Sequence, residues 1–231
     1  MSLGKYFKKI NIKSSGFTLL ELLITISIFV VISAVVLPRH ARFNNTIILT
    51  NLAYEMGLSI REAQTYGSSV KFFDRTSSYD QGYGIHFEDY SSSVDNSKRF
   101  ILFADTNGNE KYDGDDDGAN CLDIDGSECS SVYTIGKNNF ISRFCATRLD
   151  GNPDDCYQFS SPRGGNIQYL DIMFFRPQQR ACIRTEENLA QTSAVACSTN
   201  VDYSSAKICV RSPEDDERCV DVSYSGQIEI K

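Results

Sequence analysis

The organisation of this chain follows from one stretch, Gly16-Phe-Thr-Leu-Leu-Glu-Leu-Leu-Ile-Thr-Ile-Ser-Ile-Phe-Val-Val-Ile-Ser-Ala-Val-Val-Leu-Pro38. As a helix rising ~1.5 Å per residue, its apolar run (residues 17–37) covers about 30 Å, the thickness of one bilayer core. Residues 1–16 contain four lysines and no acids. Because basic residues stay on the cytoplasmic side, the N-terminus is expected there and the C-terminal domain outside the cytoplasm.

Glu21 is the single charge in this run. A secretory signal peptide would have a shorter apolar core and a small-residue cleavage site, whereas Pro38-Arg39-His40 follows here. A plain signal anchor explains everything except Glu21. A carboxylate within a bilayer costs a few kcal/mol and by default indicates a function. Alternatively, Glu21 lies close enough to the interface to stay hydrated, and composition leaves both interpretations open.

The residues around this charge, Lys-Ser-Ser-Gly16-Phe17-Thr-Leu-Leu-Glu21, resemble the class III signal of type IV pilins and type II secretion pseudopilins. The shared features are a basic leader, a Gly-Phe junction, and Glu as the fifth residue after the junction. The resemblance implies that prepilin peptidase removes the leader (residues 1–16) and that Phe17 is N-methylated. In the filament, Glu21 would then pair with the Phe17 amine of a neighbouring subunit.

The resemblance also implies the partners and the location. The partners are other pilin or pseudopilin subunits, prepilin peptidase, an inner-membrane assembly platform and the lipid bilayer. Before assembly the protein would cross the inner membrane once. After assembly the filament would lie in the periplasm or at the cell surface, with residues 17–37 in its core.

Residues 38–67 are expected to continue as an amphipathic helix. Apolar side chains recur there about every four residues at Ile48, Leu52, Met56, Ile60 and Ala63, with Leu49 and Ala53 beside them. Pro38 matches the helix-kinking proline of the family. Because proline removes a backbone donor and clashes with the preceding turn, a bend or local melting is expected there.

After Gly67 the apolar period changes to two, which predicts an antiparallel β domain over residues 68–231. The candidate strands are Val70–Phe73, Tyr83–Phe87, Arg99–Ala104, Phe140–Cys145, Ile167–Phe175, Ala181–Arg184, Lys207–Arg211, Arg218–Tyr224 and Gln227–Ile230. The predicted fold class is therefore α+β: a long helix, transmembrane in its first half and amphipathic in its second, packed on an antiparallel sheet as in the pilin fold.

The net charge of the 231 residues is −7, and about −11 without the leader lysines. An acidic surface repels phosphate backbones, so nucleic acid is not an expected partner.

Eight cysteines lie after residue 120, and none forms a C-x-x-C pair. Disulfides in an oxidising compartment explain this set better than zinc. Eight cysteines allow 105 connectivities, and proximity in the sequence favours consecutive pairs: Cys121–Cys129, Cys145–Cys156, Cys182–Cys197 and Cys209–Cys219.

An acidic loop spans residues 105–128. Oxygen ligands at alternate positions can wrap calcium, and the EF-hand spacing falls on Asp105, Asn107, Asn109, Lys111 (through its carbonyl), Asp113 and Asp116. Glu110 stands where that loop has glycine, and Asp116 is a shorter last ligand than glutamate. A second acidic cluster, residues 123–128, could share a structural ion. The alternative is a solvated turn that keeps the domain soluble.

The segments Tyr83–Phe87 and Arg99–Asn109 resemble the paired strands and Asp-x-Asn-Gly turn of the GspH/FimT group of minor pseudopilins and minor pilins. The implied function is structural, as a minor subunit of a type IV pilus or type II secretion filament. The alternative is a pilus-tip adhesin or DNA-uptake minor pilin on the same helix. An enzyme is not expected, because His40 and His86 lie far apart in the sequence and the carboxylates sit in a loop with nothing to raise a pKa.

Overall fold

A computed structural model describes residues 16–69, 71–73, 81–88, 96–114, 121, 127–150, 152, 154–158, 167–177, 179–185, 197 and 203–231. The chain divides into two compact units, Met1–Asn44 and Asn45–Lys231. One long helix, α1 (Leu19–Ser68), contributes residues to both units. The predicted leader lies outside the described residues, apart from Gly16.

In the first unit, α1 begins with an apolar stretch that contains one charge, Glu21. Residues Leu19–Val36 form a helix long and apolar enough to cross a membrane, and none of this window is buried. The helix continues through Pro38, so the local melting expected there is not observed. The expected bend stays a prediction, and the side chain of Pro38 lies outside the described part of the chain.

In the second unit, one face of α1 is buried in the domain core. Its fully buried side chains are Leu49, Ala53, Met56, Ile60 and Ala63. These residues fall on the apolar stripe expected from the sequence. The opposite face differs from a simple amphipathic pattern, because Ile47, Tyr54 and Leu58 are exposed there.

The described residues form ten strands after α1. They are β1 (Gly82–Glu88), β2 (Arg99–Asp105), β3 (Cys129–Thr134), β4 (Phe140–Arg148), β5 (Asp155–Gln158), β6 (Tyr169–Phe174), β7 (Ala181–Thr185), β8 (Tyr203–Arg211), β9 (Glu217–Ser223) and β10 (Ile228–Ile230). A short 3-10 helix, Asn96–Lys98, precedes β2.

Within the described residues, these strands make two antiparallel sheets of five strands, ordered β3-β2-β1-β6-β7 and β10-β9-β8-β4-β5. The α+β class is therefore confirmed, but the expectation of one sheet is wrong. Residues 71–73 are not a strand, and the sequence missed β3 and β5. β3 is an edge strand of mostly half-buried polar residues, so it lacks the alternation that marks a strand.

The buried face of α1 and the inner faces of both sheets share one core. Each strand contributes every second side chain, because successive side chains point to opposite faces. The first sheet contributes Ile85, Phe87, Leu102, Leu170, Ile172 and Phe174, and the second contributes Phe144, Ala146, Ile208, Val210, Val220 and Val222. The outer face of the first sheet carries a separate cluster that includes Ile101, Phe103 and Met173.

Removing a buried side chain from this helix face should destabilise the domain, whereas removing an exposed one should not. We expect Ile60→Ala to lower the free energy of unfolding by about 2–5 kcal/mol, since it leaves a cavity between α1 and the sheets. Leu58→Ala is the matched control, with a change within about 0.5 kcal/mol. Urea denaturation of the full chain in detergent, at a concentration where it is monomeric, measures both. Equal losses of unfolding free energy in the two variants would contradict the assignment of Ile60 to the core.

Candidate functional site

Glu21 caps the N-terminus of α1. Its Oε2 accepts hydrogen bonds from the Thr18 backbone N–H at 3.3 Å and from the Thr18 hydroxyl at 3.2 Å. The Glu21 N–H in turn donates to Thr18 Oγ1 at 3.2 Å. This reciprocal arrangement is a capping box, which satisfies donors that a helix start leaves free. The Thr-x-x-Glu spacing indicates it, and the sequence reasoning missed it.

The predicted processing residues are accessible. Phe17 is 81% exposed. Among the described residues, no atom outside the chain neighbours of Gly16 lies within 4 Å of the position that a Cβ on Gly16 would take. The carboxylate of Glu21 is exposed together with the apolar side chains that follow it. The capping box keeps this carboxylate at the helix start, where an amine could approach it.

The cysteines form four consecutive pairs: Cys121–Cys129, Cys145–Cys156, Cys182–Cys197 and Cys209–Cys219. This is the pairing that the sequence favours. In the second sheet, Cys145 lies directly opposite Cys156, and Cys209 directly opposite Cys219. These two bridges therefore join neighbouring strands β4–β5 and β8–β9. Two geometric groupings of cysteines with Glu110 or Glu217 resemble metal sites, but the sulfurs are in disulfides and are not free to bind metal.

In the acidic loop, Asp105 organises the backbone of the residues that follow it. Its carboxylate accepts N–H bonds from Gly108 at 2.7 Å, Asn109 at 3.2 Å and Glu110 at 3.0 Å. Burial raises the pKa of Asp105 more than these bonds lower it, and the charge of Glu110 adds to the rise.

Asp113 gathers the other described candidate ligands. It accepts bonds from the amides of Asn107, at 2.8 Å, and Asn109. Lys111 Nζ lies 2.7 Å from its Oδ1. Burial would raise the pKa of Asp113, but the bonds from Lys111, Asn107 and Asn109 outweigh burial and lower it. Asp116 and most of the second acidic cluster lie outside the described residues.

Glu110 has the backbone conformation expected of a glycine. Its φ is 62°, in the left-handed region that glycine adopts most easily. Its carboxylate accepts bonds from Arg184 on β7 and, at 2.8 Å, from the Cys197 N–H. The backbone at this position is therefore left-handed, as a glycine would favour, while the glutamate side chain anchors the loop to β7 and to the Cys182–Cys197 bridge.

Glu128 closes the loop from the opposite side. Its side chain is buried, and its carboxylate accepts 2.9 Å bonds from the N–H groups of Thr106 and Asp113. Burial raises the pKa of Glu128, and the nearby charges of Asp105 and Asp113 raise it further. The expectation that nothing in this loop raises a pKa is therefore wrong, because sequence could not show that the loop packs against the sheet.

A buried ionic cluster lies beneath this loop. His86 Nδ1 is 2.6 Å from Asp171 Oδ1, and His86 Nε2 is 2.9 Å from Glu88 Oε2. The Tyr112 N–H donates to the other Asp171 oxygen at 3.1 Å, and the centre of the Tyr112 ring lies 4.6 Å from that of the imidazole, with the two planes tilted by 42°. Both imidazole nitrogens are occupied by carboxylates, so His86 is not placed as a base for a nucleophile. The cluster instead ties β1 and β6 to the acidic loop.

The charge state of His86 follows from its neighbours. Burial lowers its pKa, but the carboxylates of Asp171 and Glu88 outweigh burial and raise the pKa to about 9. Two other groups lie near the cluster: the Lys111 ammonium, whose charge reaches Asp171, and the Tyr169 ring, 6.0 Å from the imidazole. Neither of these two groups adds a negative charge, and the imidazolium is the cation that contacts both carboxylates directly.

This cluster predicts a specific dependence of stability on pH. Because the folded pKa of His86 lies above its ordinary value of 6.5, its stabilisation is complete below about pH 6.5 and is lost as pH rises through about 9. The full loss is about 3 kcal/mol. His86→Gln should remove this decline, as measured by urea denaturation between pH 6 and 10. An equal decline in the variant would contradict the assignment.

The fold and these sites together describe a disulfide-bonded α+β protein with one helix that is long and apolar enough to cross a membrane. Residues 11–37 match a family model described as the prokaryotic N-terminal methylation motif. This match confirms the class III signal predicted around Gly16 and covers the N-terminal segment only. No curated protein and no solved structure matches the chain.

Proposed function

We propose that this chain is a structural subunit, a minor pilin or pseudopilin, of a type IV pilus or type II secretion filament. Prepilin peptidase cleaves it after Gly16, Phe17 is N-methylated, and residues 17–37 then pack with the same segment of other subunits. The observation that carries this proposal is the methylation motif at residues 11–37, which runs directly into the exposed apolar helix.

The physical chemistry of α1 supports this use. An apolar helix with no buried face in its own chain needs lipid or other helices around it. The bilayer supplies lipid before assembly, and neighbouring subunits supply helices afterwards. The four disulfides fit a domain held outside the cytoplasm, in agreement with the lysines that precede the helix.

Within this class, we infer a subunit of the GspH/FimT kind that meets the inner-membrane assembly platform. The basis is the antiparallel pair of strands β1 and β2. Strand β2 ends at Asp105, whose carboxylate accepts the Gly108 N–H in the turn that follows. The alternative is that the same helix anchors a tip adhesin or a DNA-uptake minor pilin. The acidic surface disfavours the DNA-binding form of that alternative.

We further propose that the acidic loop binds one structural calcium ion through Asp105, Asn107, Asn109, the Lys111 carbonyl, Asp113 and Asp116. The left-handed backbone at Glu110 and the three N–H bonds to Asp105 support this proposal. Lys111 now neutralises Asp113, so calcium would displace its ammonium group.

Calcium should therefore raise the thermal unfolding midpoint relative to EDTA, since a ligand that binds only the folded state stabilises it. Asp105→Asn should abolish this difference, whatever it does to stability in EDTA. Asp221→Asn, on the second sheet, is the control and should keep the difference. A wild-type midpoint that is the same with calcium and EDTA would refute the site.

The cleavage assignment predicts the effect of one substitution. Replacing Gly16 with Trp should block the peptidase, because the residue before the junction would no longer be small. An immunoblot of membranes should then show the full precursor, of 25.9 kDa in the wild type, and no shorter form. Ser14→Trp, two residues earlier in the leader, is the control. Normal shortening of the Gly16→Trp protein would rule out this cleavage site.

The role of the Glu21 charge in filament assembly can be separated from the role of Glu21 as a helix cap. Glu21→Gln keeps a capping box but removes the charge, whereas Thr18→Ala removes the cap and keeps the charge. If the charge pairs with the Phe17 amine, Glu21→Gln should insert into the membrane but enter sheared filaments poorly, and Thr18→Ala should enter normally. The reverse result would make capping the role of Glu21.

A further inference from the structure

The outer face of the second sheet carries a polar groove. Its volume is about 420 Å³, and its lining comes mainly from β4, β5, β8, β9 and β10. Both cysteines of the Cys145–Cys156 bridge line the groove, together with Arg143, Lys207 and Asp154. The groove therefore brings a disulfide, two cations and a carboxylate to one accessible surface.

The Cys145–Cys156 bridge is more accessible than the other three bridges. Cys145 and Cys156 are both partly exposed, whereas each of the other bridges has at least one buried cysteine. The buried cysteines are Cys121, Cys129, Cys182 and Cys209. Exposed disulfides are in general the labile ones, because an attacking thiolate has to reach a sulfur. A thiol in solution should therefore react with Cys145–Cys156 first.

The bridge also lies at an edge of the sheet. Strand β5, which carries Cys156, is four residues long and pairs only with β4 among the described strands. A thiolate that attacks Cys156 Sγ approaches from the side opposite Cys145, in line with the bond that breaks. The edge of the sheet lies on that side, so no described strand stands in the way of this approach.

Strand β5 does not depend on the bridge alone for its position. Asp155 is buried, and its carboxylate accepts bonds from Arg148 at 2.7 Å and from the Tyr203 hydroxyl at 2.8 Å. These contacts remain when the bridge is open. The two cysteines therefore stay on neighbouring strands after reduction, and the bridge can form again.

The charges beside Cys145 favour a thiolate at this sulfur. Lys207 lies directly opposite Cys145 on β8, and Arg143 lies two residues before it on the same face of β4. Arg143 is paired with Glu217 at 3.0 Å. The ion pair of Lys207 with Asp221 is longer, 3.7 Å, which leaves more of the Lys207 charge for Cys145. A neighbouring cation lowers the pKa of a thiol.

The charge beside Cys156 is of the opposite sign. Asp154 lies two residues before Cys156, is exposed, and lines the same groove. A carboxylate disfavours a thiolate beside it. Because the sulfur with the lower pKa is the better leaving group, Cys145 should leave and Cys156 should be attacked.

We propose that Cys145–Cys156 is a thiol–disulfide exchange site whose partner is a dithiol, and that the other three bridges are structural. This inference does not depend on the filament assignment. One thiolate of the partner attacks Cys156 Sγ, and the electron pair of the S–S bond leaves on Cys145 Sγ. The second sulfur of the partner then displaces Cys156 Sγ from the mixed disulfide. The partner becomes a disulfide, and its two protons pass to the two cysteines.

Dithiothreitol is the dithiol that tests this site on the full chain in detergent. After brief reduction, N-ethylmaleimide labels the new thiols, and peptide mass spectrometry locates them. Cys145 and Cys156 should be labelled about tenfold faster than the cysteines of any other bridge. If another bridge is reduced as fast or faster, the inference is overturned.

Glutathione tests the direction of attack, because a monothiol forms the mixed disulfide without a second thiol to resolve it. The glutathione adduct should be found on Cys156. An adduct found mainly on Cys145, or equally on both cysteines, would overturn the assignment of Cys145 as the leaving sulfur.

Lys207→Gln should slow the reduction of this bridge about threefold, since loss of the cation raises the pKa of the leaving thiol. Lys98→Gln, in the 3-10 helix before β2, is the matched control and should keep the wild-type rate. Unchanged rates at the other three bridges show that both variants fold. Equal rates for Lys207→Gln and wild type would contradict the role of this charge in the exchange.

Discussion

The removal of the apolar half of α1 from water is the constraint on which the rest of this protein depends. Thirteen large apolar side chains between Leu19 and Val36 are exposed. Covering each contributes about 1.5–3 kcal/mol, and together this amounts to a few tens of kcal/mol. Moving Glu21 into the same environment costs only a few kcal/mol. The segment is therefore driven into lipid or against other helices despite its charge, and a partner for that charge makes the association specific.

The second part of α1 is buried along one face within the globular domain. There one helix face fills the core between two sheets, and two disulfides join neighbouring strands of the second sheet. The first sheet is covered on its outer face by the acidic loop, whose Tyr112 ring lies 4.6 Å from the His86 ring and 5.3 Å from the Phe103 ring. The imidazolium of His86 lies against one oxygen of Asp171, and the other oxygen accepts the Tyr112 N–H. Electrostatics inside the domain therefore position a loop that has little apolar surface of its own.

Features that depend on short-range patterns could be read from the sequence. The helix, most strands, the signal around Gly16 and the consecutive cysteine pairs follow from periodicity, motif spacing and proximity. Features that depend on distant residues could not be read in this way. His86 and Asp171 are 85 residues apart and meet because β1 pairs with β6. The division into two sheets likewise depends on β4 pairing with β8. Glu110 departs from the calcium-loop pattern in sequence, and its carboxylate binds Arg184 and the Cys197 N–H, two partners too distant in the chain for the pattern to indicate.

The most direct measurement of this account is the mass of the N-terminal peptide from the mature protein, purified from membranes and digested with a protease. We expect a peptide that begins at Phe17 and carries one added methyl group on its amine. A mature chain that still begins at the leader, or that begins after Leu37, would contradict it, because α1 would then be only an anchor or a removed signal.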